Sequence, residues 1–469
     1  MTATALLLLW MQAAPAPGSC AGEGAVDCWL DRGVKNVAAA ETEADAGRKR
    51  NFLEEAASDF GQALELDPDR GAALNNLARV DADLGRDEEA ERHFRRAVGL
   101  DVPLRPFYRR NYGDFLAARG RWEPAVEQYR AVLEEQADLQ AHESLVGLLS
   151  QHRPDAIPDY LRSLLDHDRY VWAWEVALAR LREEPDETYL ALLAEARAGQ
   201  AIPPGELLPS EGVEVLAGLT GDARIGPGAE ELLALNEGDS SDPARFSWWA
   251  ERPGPRRAFR SLVRSFGDSQ RQAGRLAAAG DLYRLAVLLT PEEPDLVSFR
   301  RMLDLPAATE DLPSIDQLAL WNEDGLRKSR PDRTEVYRYR HDLGLHYASL
   351  GRWQDCPCPT SGIFQLERAV SEDDVTGPPD GDPPFDALIY TKLVELYLAA
   401  NRPKDAAEVL HHMVFVFHDH GMGTEVDILN YTIPTETGAD PDPDVTGSVP
   451  DELGDPPVLL RDFTTRPPR

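Results

Sequence analysis

Apolar and small residues recur along this chain at helical spacing, and they recur in copies. In NYGDFLAARGRWEPAVEQYRAVLEEQ, residues 111–136, Tyr112, Gly113 and Leu116 form one run and Ala125, Tyr129 and Val132 a second, with Gly120 between them. Spacings of three and four residues predict two amphipathic helices, and the glycine predicts the turn that joins them. Residues 71–102 carry Leu77, Ala78, Gly85, Ala90, Phe94 and Ala97 at the same mutual offsets, Leu77 standing 35 positions before Tyr112. Upstream, Ala56, Phe60, Ala63 and Pro68 precede Ala90, Phe94, Ala97 and Val102 by 34 positions. Downstream the pattern returns as Phe266, Gly267, Gly274, Ala279, Tyr283, Ala286 and Pro291, then as Leu343, Gly344, Tyr347 and Gly351, and last as Leu393, Tyr397, Asn401, Ala406, Leu410 and Met413. The helical hairpin is therefore a copied unit.

These offsets resemble the tetratricopeptide repeat, whose small residues at the eighth and twentieth positions let two antiparallel helices approach and whose glycine makes the turn. The resemblance implies an all-α fold, an α-solenoid in which each hairpin covers its apolar face with the next. NNLARVDADLGR followed by NYGDFLAARGR also resembles stretches of the tetratricopeptide lipoproteins that assist type IV pilus assembly, over two repeats only. Co-chaperone members of the repeat family hold a C-terminal carboxylate with Lys at the fifth and Asn at the ninth repeat position. Here those places hold Asn75 and Arg79, then Arg110 and Asp114, so that clamp is absent.

The organisation expected is two arrays, 30–199 and 257–425. The first is regular to about residue 137 and degenerate afterwards, where the turn glycine is lost. Residues 200–256 are broken by IPPGELLPSEG, GPG, EGDSSDP and RPGP and read as an irregular hinge. CPCPTSG makes an insertion at 354–362, and 426–469, Pro-rich and acidic, reads as an extended tail. Residues 1–21 read as a signal peptide: an apolar run near Ala5–Trp10, too short to span a bilayer, is followed by small residues that suit a cut after Ala21. That places the protein in a bacterial periplasm or envelope, the alternative being the cytoplasm. Cys20 would suit a lipoprotein, except that Pro17 occupies the place of the lipobox Leu.

The net charge of -33 argues against nucleic acid or an anionic bilayer as partner, since phosphate binding needs a cationic footprint. Four cysteines, Cys20, Cys28, Cys356 and Cys358, are too few for a disulfide framework at this length, and the closely spaced pair reads as surface thiols or a disulfide formed after export. No phosphate-binding glycine loop, nucleophile elbow or HExxH occurs. His411 and His418 in HHMVFVFHDH stand about 10 Å apart along a helix, too far for one metal. Asp440, Asp442, Asp444 and Asp451 are spaced like a calcium loop, but Val445 stands where such a loop needs Gly. The Trp172/Trp174 and Trp248/Trp249 pairs read as core. Neither a cofactor nor a metal is expected.

The function read from these features is a non-enzymatic scaffold that binds a protein or peptide along the concave surface. The alternatives are an envelope assembly or secretion accessory factor, and an enzyme or metal-binding protein with a site in the irregular segment or the histidine-rich helix. Candidate contact residues are Asn75, Arg79, Arg110, Asn111, Arg264, Arg271 and Arg338. The arginines would form a cationic lane for an acidic partner, or for the acidic tail itself, unless Asp83, Asp114 and Asp268 on the same face neutralise them.

Overall fold

The computed structural model describes residues 20, 22, 24–240, 242–289, 294–305, 312–328, 332–352, 358–376 and 387–419. They are helical, with no strand among the described residues, and fall into two compact units that divide between Asp159 and Tyr160. The first unit holds α1 (Ala25–Thr42), α2 (Ala46–Leu66), α3 (Gly71–Asp83), α4 (Asp87–Val98), α5 (Arg105–Ala118), α6 (Trp122–Glu135) and α7 (Leu139–His152). Consecutive helices pack as antiparallel hairpins, and α3 also touches α5, so the first helices of successive hairpins share one face. The boundary falls inside α8 (Ile157–Asp166).

The repeat register is the packing register. Ala90, Ala125, Ala279 and Ala406 are fully buried where the two helices of their hairpins cross. Gly113 and Gly267 lie under the rings of Tyr129 and Tyr283, respectively. Gly85, Gly120, Gly274 and Gly351 turn the chain with φ between 68° and 79°, a region that costs a residue with a Cβ about 1 to 2 kcal/mol. The degenerate repeat also has its turn residue: Asp168 takes φ 57°, and the Arg169 amide donates to the Leu164 carbonyl, as the Arg121 amide does to Leu116. Asn401 fills the same place at φ 58°. Aspartate and asparagine are the side chains that tolerate this conformation best.

The second unit contains α9 (Tyr170–Glu183), α10 (Glu187–Gly199), α11 (Ser210–Leu219), α12 (Gly226–Asn236), α13 (Ser247–Ala250), α14 (Pro253–Gln272), α15 (Leu276–Leu288) and α16 (Leu296–Leu303). It continues with α17 (Leu312–Lys328), α18 (Arg333–Ser349), α19 (Gly362–Thr376), α20 (Ala387–Ala399) and α21 (Pro403–Asp419). Helix α10 packs directly on α14. The stretch 200–256, expected to be an irregular hinge, instead leaves this contact, forms α11, α12 and α13, and returns to it. Two of its prolines mark helix starts rather than breaks: Pro227 is the second residue of α12 and Pro253 the first of α14, where a missing N–H costs nothing. Trp248 and Trp249 are buried beneath this excursion, their indole N–H groups donating to the carbonyls of Arg224 and Gly228. Arg197 on α10 clasps the loop that begins it, giving hydrogen bonds to the carbonyls of Leu207 (2.6 Å) and Glu206 (3.2 Å).

Cys20 and Cys28 form a disulfide, and Cys358 is disulfide-bonded as well. No described helix is long and apolar enough to cross a membrane. The tail from 426, with Asp440, Asp442, Asp444 and Asp451, lies outside the described residues, as does the side chain of His418.

Candidate partner-binding groove

Within the first unit, α3 and α5 line an open groove of about 430 Å3, completed by Gln140 at the start of α7. Its walls carry Arg79, Asp83, Phe107, Arg110, Asn111, Asp114 and Arg119. Ridge geometry explains the set. Residues one helical turn apart on α3 (Arg79, Asp83) and on α5 (Phe107, Arg110 or Asn111, Asp114) project from one face. The opposite faces, with Leu74, Leu77 and Ala78 on α3 and Tyr112 and Leu116 on α5, are spent on the core.

The polar residues of the groove differ in how far they are already committed. Asn111 Nδ2 donates to Asn75 Oδ1 at 3.0 Å, a bond between successive hairpins, with Asn75 itself buried. Arg110 pairs with Asp138 at 3.0 Å and stands 5.1 Å over the Phe107 ring, while its buried Nε has no hydrogen-bond partner. Arg119 grips Asp87 with two bonds of 2.9 and 2.8 Å and also donates to the Ala82 carbonyl. Asp114 accepts the Tyr129 hydroxyl at 2.7 Å, and burial together with this carboxylate pushes the phenol's pKa upward. Arg79 is exposed and makes no ion pair with any described residue, and Asp83 one turn along the same helix is exposed and unpaired too.

The seven residues expected from the sequence fall in both units. Asn75, Arg79, Arg110 and Asn111 come together in the first unit. Arg264, Arg271 and Arg338 belong to the second unit, where each stands beside an acid: Arg264 with Asp295 at 3.3 Å, Arg271 with Asp304 at 3.5 Å, and Arg338 with Glu335 at 3.4 Å. Of the acids expected to neutralise them, Asp268 is engaged by Arg301 and Tyr283, and Asp114 by Tyr129. Phe107, Arg119 and Gln140 were not among the expected contacts. Phe107 stands at the second position of its repeat, a groove position, and that was the signal available. Among the described residues no three metal-ligating side chains converge.

Comparison of the sequence with family models finds the repeat in the first unit. The sequence model described as "Tetratricopeptide repeat" matches residues 53–102, from within α2 to just beyond α4. No curated protein matches. Among solved structures, the chain is similar to the tetratricopeptide domain of P58(IPK), at 17% identity and a TM-score of 0.23 over 80% of this chain and 98% of that one. It is also similar to Naa15/Naa10 bound to HypK-THB, at 12% identity and a TM-score of 0.25, over 83% of this chain and 63% of that one.

Proposed function

Since this chain is a tetratricopeptide repeat protein, we propose that it is a non-enzymatic scaffold whose first unit binds an extended peptide segment in the groove between α3 and α5. The observation that carries this reading is the contrast in commitment. Arg79 offers an exposed guanidinium that makes no ion pair with a described residue, while the other arginines of the groove are already held by Asp138 and Asp87. An acidic side chain of the partner would take Arg79 in a bidentate pair. Asn111, on the groove wall, supplies its amide group for the partner's backbone, and the exposed edge of Phe107 covers an apolar neighbour. Asp83 favours a partner with a basic or donor group one step from the acid. The reading thus moves from an all-acidic partner to one of mixed charge.

Fluorescence anisotropy with labelled extended peptides of acidic, basic and alternating charge tests it. Alternating-charge peptides should bind most tightly, Arg79→Glu should weaken them at least tenfold, and Arg338→Glu should leave them unchanged. Equal binding by wild type and Arg79→Glu would move the partner surface elsewhere.

The same protein is proposed to work outside the cytoplasm, in a bacterial envelope. Disulfides at Cys28 and Cys358 support this reading, because such bonds persist in oxidising compartments. Fractionation of the native host tests it.

A further inference from the structure

Cys20, Gly22, Gly24 and the first turn of α1 are tied together. Eight residues of extended chain would span about 26 Å, yet the Cα atoms of Cys20 and Cys28 are 5.6 Å apart and their sulfurs are bonded. The reversal is made by Gly22 and Gly24, both at positive φ (97° and 92°), in a region that glycine enters freely. The Ala25 amide donates to the Gly22 carbonyl at 3.1 Å and the Cys28 amide to Gly24 at 3.0 Å, so the loop runs directly into the first turn of α1. The described residues contain no free cysteine.

A leader cut after Ala21 would discard Cys20 and leave Cys28 without its partner. It would also leave three of the four cysteines, an odd number, so at least one thiol would stay unpaired within the chain. Resting on the export reading above, we propose that processing occurs ahead of Cys20, at the Gly18–Ser19 bond, and that Cys20 is retained as one half of an N-terminal staple. The small-residue rule is met there by Ala16 and Gly18, whereas a cut after Ala16 would put Pro17 next to the cleaved bond and a cut after Ser19 would put Pro17 at the third position before it. In the cleavage, water adds its hydroxyl to the Gly18 carbonyl carbon and a proton to the Ser19 nitrogen. In the oxidation, the thiols of Cys20 and Cys28 give two protons and two electrons to an oxidant bearing a disulfide, which leaves as two thiols. The same sulfur cannot carry a lipid thioether, so the staple and lipidation of Cys20 exclude one another.

The test is the intact mass of the full-length gene product recovered from the envelope fraction of an exporting bacterial host, with iodoacetamide labelling before and after reduction. The expected chain begins at Ser19, takes no label before reduction and four labels after it. Cys20→Ala should then gain one label before reduction, at Cys28. An exported chain beginning at Gly22, labelled in the wild type and indifferent to Cys20→Ala, would overturn the proposal while leaving export intact. A lipid mass on Cys20 would overturn it equally. A chain retained whole in the cytoplasm would overturn the export reading and this proposal with it.

Discussion

The ring of Tyr129 occupies the space where a side chain at Gly113 would begin: a Cβ there would meet Tyr129 Cε1 at 2.8 Å. The relationship is repeated by Gly267 and Tyr283, at 2.7 Å. In both hairpins the tyrosine hydroxyl continues to a carboxylate next to the glycine, Asp114 at 2.7 Å and Asp268 at 2.8 Å. Gly113→Ala and Gly267→Ala should therefore destabilise their units by about 1 to 3 kcal/mol, as should the overpacking substitutions Ala90→Leu and Ala279→Leu. Gly61→Ala and Gly147→Ala, in helices with nothing within 4 Å of the new methyl group, should stabilise by about 0.4 to 1 kcal/mol. Urea melts followed by circular dichroism compare the six; similar midpoints for the two classes would refute the register.

Arg110 and Arg79 share a groove but differ in what they hold. Arg110→Ala leaves the largely buried carboxylate of Asp138 without its cation and should cost about 1 to 3 kcal/mol. Arg79→Ala breaks no contact and should stay within about 0.5 kcal/mol. Equal losses in the two melts would mean that Arg79 is a structural residue and not a free contact.

Arg197 is buried, and burial lowers the pKa of its guanidinium. Arg197→Leu should strand the carbonyls of Glu206 and Leu207, at about 1 to 3 kcal/mol for each buried group left unpaired. The readout is limited proteolysis, with cleavage between residues 200 and 209 expected to accelerate in the variant. An unchanged digestion pattern would show that the loop is held by other contacts.

Acid should weaken the two units in different windows. In the first, the hydrogen bond from Arg121 holds the Glu91 carboxyl below its ordinary value despite some burial, and Tyr112 assists. Its folded pKa thus lies below the unfolded value of about 4.3, so the stability it contributes is present above that pH and disappears as pH falls through the folded value. In the second, burial and then Arg352 lower the pKa of His346, so the folded ring stays neutral below the unfolded value of about 6.5, and stability is lost as pH falls from there through the folded value. The gap between wild type and Glu91→Gln in urea midpoint should be clear at pH 7 and narrow as pH falls below about 4.3. His346→Gln should reduce the loss of stability between about pH 7 and pH 5. Parallel pH profiles for wild type and both variants would contradict the assignment.

With a net charge of -33, the surface repels itself, and salt shortens that repulsion to a Debye length of about 10 Å at 0.1 M. The melting temperature should rise between about 0.01 and 0.5 M NaCl. A flat or falling trend would mean that the arginine–carboxylate pairs outweigh the excess charge.

The hairpins were readable in the sequence because their packing depends on residue size at fixed spacing, and alanine, glycine and aromatic residues announce it. Asp168 was not readable as a turn residue, since nothing in an aspartate's identity distinguishes a left-handed turn from a solvated helix end. The prolines of 200–256 were read as breakers because a linear pattern does not show which of them sit at helix starts. In the groove, Arg79 and Arg110 followed from repeat position alone. The commitment of Arg110 did not, because its partner Asp138 lies 28 residues on, at the cap of the next helix, and such pairing exists only once the hairpins have stacked.

In six repeats the left-handed turn residue is followed by an arginine: Arg86, Arg121, Arg169, Arg275, Arg352 and Arg402. Three of these reach back to an acid of the preceding hairpin, Arg86 to Glu54, Arg121 to Glu91 and Arg352 to Asp316. Each such hairpin borrows a counter-ion from a neighbour and is addressed to that neighbour by the position of the acid. Severing the chain before Arg121 would leave Glu91 only Arg95 and Tyr112, and transplanting a hairpin to another slot would present its arginine to the wrong residue. The repeats share a packing pattern but are not interchangeable parts, and the order of the array is written in charge.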